Sequence, residues 1–296
     1  MILQKNRSFY LFFYIYFSLF TYITISISES NAHDCISFSQ AQQILDGFPS
    51  KPITVIDNTL TLEEAYCAQD KLNYLIRKKF DDKIGYKVGF TGEALQKRFD
   101  INTPAIGTIY NHMFLPNDAE ISKEFGYRTL IEPDLLVVIK SKNIMNSTTK
   151  LDILKNISSI HPFVEIPALR FKKEEKVNGN MLVATNMLAT YMVMADGIEI
   201  EANEEGVNAL ANIKTVFLDK DNNVIQTAST SNLMGNPLNV LQWLVNYLNE
   251  REMSLQKGDK ISLGSVGKLF PLSKNVYKYY FEGFEESKYV VKINVK

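Results

Sequence analysis

Three acidic side chains stand inside apolar runs, where an unpaired charge is costly. Two of them share the stretch Leu130-Ile131-Glu132-Pro133-Asp134-Leu135-Leu136-Val137-Val138-Ile139, separated by one residue. Side chains alternate along a strand, so Glu132 and Asp134 project to one face. Adjacent carboxylates repel, and one must keep a proton unless a cation joins them. A hard divalent cation such as Mg²⁺ or Mn²⁺ resolves this with oxygen ligands. The third carboxylate, Glu165, sits in Phe163-Val164-Glu165-Ile166-Pro167-Ala168. Three carboxylates around one ion leave positions open for water and a chelating substrate. A solvated strand face is the plainer reading of an E-x-D pair. The apolar surroundings argue against it.

Two cations accompany them. Lys87 lies between glycines in Gly85-Tyr86-Lys87-Val88-Gly89, and glycine permits close backbone approach. The bland alternative for Lys87 is an exposed charge on an edge strand. Arg170, five residues after Glu165, suits a bidentate contact to a substrate carboxylate. A structural ion pair accounts for it equally well.

The elements that must position these residues follow from periodicity. Residues 39–47 read as a short helix. Thr61-Leu62-Glu63-Glu64 matches a capping box and opens a helix over 61–79. Residues 85–90 read as a strand and 93–99 as one or two helical turns. Extended segments follow at 105–110, 129–140 and 162–171, with helices at 149–157 and 181–190. Strands at 213–218 and 224–228 flank a hairpin turn. Pro237 starts an amphipathic helix over 237–250, and strands near 259–264, 276–283 and 288–295 end the chain. This is an α+β pattern, with a helical cap over 33–100 leading into the GYKVG strand and a β-rich core over 101–296.

The chain has 296 residues with 32 Lys and Arg against 33 Asp and Glu, a net charge of −1. Nothing there neutralises a phosphate backbone, which excludes nucleic acid as a partner. Lys5 and Arg7 precede the uncharged run Ser8 to Ser28, and Ser30-Asn31-Ala32 ends it. A positive end, an apolar middle and a small final residue describe a signal peptide over 1–32, cleaved before His33. An uncleaved membrane anchor is the alternative. In either case the body is exported, periplasmic or secreted, with no membrane contact once the signal is removed. Cys35 and Cys67 are the only cysteines. In an oxidising compartment an even pair implies a disulfide rather than two buried thiols.

The order Gly85-Tyr86-Lys87-Val88-Gly89-Phe90-Thr91, Glu132-x-Asp134, Glu165 with Arg170 resembles the 2-keto-4-pentenoate hydratase / 4-oxalocrotonate decarboxylase family of the fumarylacetoacetate hydrolase superfamily. Ala65-Tyr66 with Gln69, Ala184 and Asn186, Gly235-Asn236-Pro237-Leu238 with Trp243-Leu244, Gly258-Asp259 and Leu263-Gly264-Ser265 extend the likeness from about residue 60 to the C-terminus. The resemblance implies a mixed β-roll of the fumarylacetoacetate hydrolase C-terminal-domain type. It implies a Mg²⁺ or Mn²⁺ ion held by Glu132, Asp134 and Glu165, and Lys87 as the catalytic lysine. Arg170, Asn186 and Ser265 would contact a small 2-oxo acid. The reaction would be hydration of a 2-hydroxy-dienoate or a decarboxylation, each through an enolate that the metal stabilises. A homo-oligomer is also implied.

The departures are specific. The family's P-D-F-G reads Pro104-Ala105-Ile106-Gly107 here, so its carboxylate is missing. E-I-V-D-S-R reads Glu165-Ile166-Pro167-Ala168-Leu169-Arg170, and Thr185 stands at the Asp of A-D-N. His112 and His161 are the candidates for the lost acid–base role. These changes define the alternative: an exported, catalytically impaired member that binds a small acid or a protein partner.

Overall fold

The computed structural model describes residues 35–296, which fold as one unit. The expected signal segment, its cleavage point and the start of the cap at residue 33 lie outside the described residues. Among the described residues no helix is long and apolar enough to cross a membrane.

Helices α1 (Phe38–Asp46) and α2 (Leu62–Lys79) come first. Thr61 and Glu64 close the capping box on α2, each side chain bonded to the other's backbone N–H. Then follow β1 (Lys83–Gly89), α3 (Glu93–Arg98), β2 (Ala105–Tyr110), β3 (Ala119–Ile121), β4 (Leu130–Ile139), α4 (Lys150–Lys155) and β5 (Ile157–Ile166). The second half holds α5 (Gly179–Ala184), β6 (Tyr191–Met194), α6 (Glu204–Ala211), β7 (Lys214–Leu218), β8 (Val224–Ser229), α7 (Pro237–Asn249), β9 (Lys260–Ser265), β10 (Phe270–Pro271), β11 (Asn275–Phe281) and β12 (Val290–Val295). Cys35 and Cys67 are joined by a disulfide that ties the start of the described chain to α2.

One mixed sheet runs β2-β1-β9-β4-β5-β6, with β10 added on β4; the other runs β3-β12-β11-β7-β8. This is the α+β roll the motifs imply. β1 lies inside the large sheet, antiparallel to β2 and parallel to β9, so a boundary at residue 100 divides that sheet. The large sheet separates two apolar cores. Tyr86, Val88, Ile131, Leu135, Val137, Val164, Ile261 and Leu263 enter the core shared with the small sheet and α7. Ala105, Ile109, Leu136 and Phe163 face α1, α2 and α5 in the other. Period-two alternation assigns each residue to its core.

Two expectations differ in extent. The strand expected over 162–171 runs from Ile157 to Ile166, five residues earlier, and Pro167 follows it. The helix expected over 181–190 stops at Ala184. Thr185 Oγ1 donates to Met181 and Leu182 carbonyls, and Asn186, Met187 and Leu188 have φ of 56°, 52° and 56°. Left-handed backbone at consecutive non-glycine residues ends a helix. The short β3 and β6, and α6, carry too few periodic residues to show in the sequence.

Candidate active site

Four adjacent strands each deliver a polar side chain to the cap side of the large sheet. Lys87 of β1 is in register with Ser262 of β9, and Ser262 with Leu136 of β4. Two and four residues before Leu136 on the same face come Asp134 and Glu132. Glu132 is directly opposite Glu165 of β5. The β4–β9 register slips between Asp134 and Leu136, where Gly264 takes φ of 98°, a backbone suited to glycine. That slip puts Ser265 opposite Asp134. Glycine also lets the turn after α5 pack closely against β2 beside the site. Lys87 pairs with Gly107, where a Cβ would lie 2.8 Å from the Asn186 carbonyl oxygen.

The polar residues form one connected group. Lys87 Nζ makes an ion pair with Glu165 Oε2. Ser262 Oγ lies 2.9 Å from Asp134 Oδ2 and 2.8 Å from Glu165 Oε1. A hydroxyl has one proton, so one of these contacts needs a proton held by a carboxyl group. Burial, then Glu165 and Glu132, push the Asp134 carboxyl well above the usual range, the direction that keeps a proton on it. Burial, reinforced by Glu165, pushes Glu132 up to about 7. Burial alone would push the Lys87 ammonium down, but Glu165, Glu132 and Asp134 outweigh it and keep it charged.

Lys87, Glu132, Asp134 and Glu165 lie at the floor of a cavity of about 290 Å³, with Ser262 buried outside its lining. Phe90, Leu95, Phe99, Leu130, Pro167, Leu182, Met187 and Leu188 wall it, and the exposed Arg98 and Arg128 stand on it. Of the residues expected at the site, Lys87, Glu132, Asp134, Glu165 and Ser265 line this one cleft.

Two expectations are corrected. Arg170 is absent from the cleft; it donates from Nε to the Lys51 carbonyl 2.8 Å away and lines a separate pocket under α1. An offset of five is odd, so an extended chain turns Arg170 away from Glu165. Asn186 is a backbone clamp. Its Oδ1 accepts from Thr108 N at 2.6 Å and its Nδ2 donates to Thr108 O at 2.9 Å. β2 is an edge strand, and edge groups need partners. Tyr66 Oη accepts from Ile106 N, and Gln69 Nε2 donates to Ile106 O. Much of the motif likeness in α2 and after α5 therefore seals a sheet edge.

Neither histidine reaches the cleft. His112 pairs with Asp81 at 2.9 Å and stacks on Phe80. His161 bonds to Ser159 Oγ and the Ala195 carbonyl, each at 2.9 Å. Ala105 is fully buried opposite Gly89, and among the described residues the carboxylates lining the cleft are Glu132, Asp134 and Glu165. Sequence reading passed over Ser262, Arg98 and Arg128. Ser262 had a signal, an isolated polar residue between Ile261 and Leu263.

As they stand, the acidic groups do not form a metal cluster: among the described residues no group of three or more His, Cys, Asp or Glu is placed to hold an ion. Lys87 and Ser262 engage the oxygens of Glu165 and Asp134 instead. The donor set nevertheless suits a hard divalent cation. Every donor is an oxygen, and a divalent cation bound there would take the place of the protons that Asp134 and Glu132 keep in its absence.

No family model matches the chain. Among curated proteins, it is 22% identical to 4-oxalocrotonate decarboxylase of Pseudomonas putida over 70% of this chain and 76% of that protein. It is 21% identical to 2-keto-4-pentenoate hydratase of Burkholderia vietnamiensis over 69% and 75%. Among solved structures, 4-oxalocrotonate decarboxylase from Pseudomonas putida G7, complexed with magnesium and adipate, superposes with a TM-score of 0.74 at 19% identity, covering 88% of this chain and 97% of that one. Sequence and fold thus both carry the resemblance to the hydratase and decarboxylase family.

Proposed function

We propose that this chain is a divalent-metal-dependent lyase acting on a small 2-oxo acid, and that decarboxylation suits its site better than hydration. The observation that carries the proposal is the meeting of Glu132, Asp134 and Glu165 with the Lys87 ammonium at the floor of one apolar cleft. The curated relatives named as a decarboxylase and a hydratase support it, as does the magnesium in the structural neighbour. Glu132, Asp134 and Glu165 would hold Mg²⁺ or Mn²⁺, which when bound supplies Lewis-acid polarisation of a 2-oxo acid.

The chain's own residues do the rest. Lys87 keeps its proton in the resting site and places positive charge where negative charge develops on the substrate oxygen. It is also the group positioned to return a proton to carbon. Ser262 holds Asp134 and Glu165 in place. The apolar walls from Phe90, Phe99 and Met187 lower the polarity around each charge interaction, which strengthens it. Hydration needs a further base to deliver water, and the cleft has no carboxylate from position 105 and neither histidine. That absence favours decarboxylation.

The test is spectroscopic. Purified protein with Mg²⁺ is offered 2-oxo-hex-3-enedioate and 2-hydroxypenta-2,4-dienoate, and the enone and dienol absorbances are followed. Faster loss of the first is expected. A protein that binds Mg²⁺ in a titration yet turns over neither supports the binding-protein reading instead. Export belongs to the same proposal and is supported by residues 1–32 alone; N-terminal sequencing of secreted material should begin at His33.

A further inference from the structure

Arg170 is 4% exposed, and among the described residues it has no carboxylate partner. Its Nε donates to the Lys51 carbonyl, and one face lies 5.8 Å from the Phe48 ring centroid. Its Nη2 faces Gly47, where a Cβ would come within 2.8 Å. A neutral carbonyl and an aromatic ring do not offset a full charge. A buried guanidinium without a counter-charge is expensive to keep. Burial accordingly depresses it to about 10, with nothing acting in the other direction.

The guanidinium lines a cavity of about 30 Å³ between α1, α2 and the turn after α5. Ile44, Phe48, Phe80 and Met113 are among its apolar lining, and Thr185 lines it together with Arg170. The volume admits a single small ion. Thr185, Asn186 and His112, the last paired with Asp81, add polar groups to the lining, but no acid lines the pocket to neutralise Arg170.

We propose that this pocket is a binding site for a small monovalent anion, either a halide or the head of a short carboxylate, with Arg170 as its counter-charge. The site is separate from the carboxylate cleft. The two share no lining residue, and the left-handed turn divides them, with Asn186 on one side and Met187 and Leu188 on the other. The inference therefore stands apart from the metal and lyase reading.

Thermal unfolding of the full chain tests it. Sodium is held constant while gluconate is replaced stepwise by bromide in one series and by acetate in another. An ion that binds only the native state raises the midpoint saturably, by about 2–4 °C here. The series that responds identifies halide or carboxylate. Arg170→Gln should abolish the response. Thr185→Asp is the second variant, which keeps the arginine and supplies a carboxylate within the pocket. It gives up the Thr185 hydrogen bonds to the Met181 and Leu182 carbonyls but supplies the counter-charge, so it should fold in gluconate and ignore both anions. A crystal grown in bromide should show an anomalous peak beside the Arg170 guanidinium. The proposal is overturned if neither series saturates, if Thr185→Asp responds as the wild type does, or if no peak is found at a bromide concentration that saturates the midpoint.

Discussion

Glu132 and Glu165 are cross-strand partners, directly opposed on β4 and β5. Like charges so placed destabilise a sheet, and here both strands are central, with Glu165 buried and Glu132 half-buried at the cleft. Lys87 pairs with Glu165 alone, which leaves the second carboxylate to its own solution. Glu132 takes it by holding a proton: burial and the Glu165 charge raise it to about 7.

The pH dependence of the metal-free protein follows from that pair. Glu132 rises from an ordinary 4.5 to about 7, so the native state keeps a proton that the unfolded chain releases. Its contribution to stability is fully present below pH 4.5 and is lost as pH rises through 7. The loss is on the order of 1–3 kcal/mol. Urea unfolding in chelator should show it. Glu132→Gln should flatten that slope, raise stability at neutral pH and weaken Mg²⁺ binding. A Gln variant with the wild-type slope would place the titration elsewhere.

Lys87→Met should remove turnover and leave Glu165 as a buried carboxylate without its ammonium. Breaking a buried pair by removing one partner costs about 3–5 kcal/mol. In chelator the variant should unfold at correspondingly lower urea. Added Mg²⁺ should recover more stability in this variant than in the wild type, because the cation replaces a missing charge. Equal recovery in both proteins would show that the ion and Lys87 act at different places.

How much of this was legible in the sequence depends on range. Period-two alternation sufficed to put Glu132 and Asp134 on one face, and the capping box of Thr61 and Glu64 marked α2 because both signals are local. Ser262 became part of the site only when β9 inserted between β1 and β4, a pairing that no local pattern encodes. Arg170 lies outside the cleft because Pro167 ends the strand and the odd offset from Glu165 reverses its face. The turn after α5 was read as helix because its three left-handed residues are Asn, Met and Leu. Only Asn favours that conformation.

His161 gives a second pH effect, of opposite sign. Burial depresses its imidazole below the usual 6.5, although the Ala195 carbonyl opposes this. The neutral ring fits its partners, with one nitrogen donating to Ala195 O and the other accepting from Ser159. The stability it contributes is complete above pH 6.5 and falls as the pH drops towards the folded-state value. Its share of the slope cannot exceed about 1.4 kcal/mol per pH unit. His161→Asn should remove that share below pH 6.5 and leave neutral-pH turnover intact. Lost turnover at neutral pH would return His161 to the candidate acid–base groups.

Asn186→Ala separates a structural clamp from a substrate ligand. The change would strand the buried Thr108 N–H and C=O, which Asn186 alone satisfies outside the sheet. Each buried polar group left unpaired costs about 1–3 kcal/mol. Alanine also tolerates φ near 56° less well than asparagine. A loss of about 2–4 kcal/mol in urea unfolding is expected, with KM unchanged in the folded fraction. Asn186→Asp keeps the acceptor for Thr108 N–H but loses the donor to Thr108 O, so it should retain part of that stability. A ligand role predicts the reverse pattern, a raised KM at near-normal stability. Because Asn186 faces β2 and the Arg170 pocket while its neighbour Met187 covers Gly89 in the cleft, loosening this clamp should also raise the rate at which the cleft wall opens. Amide exchange should therefore accelerate at Thr108 and across Asn186–Leu188 before it does in β4 or β5.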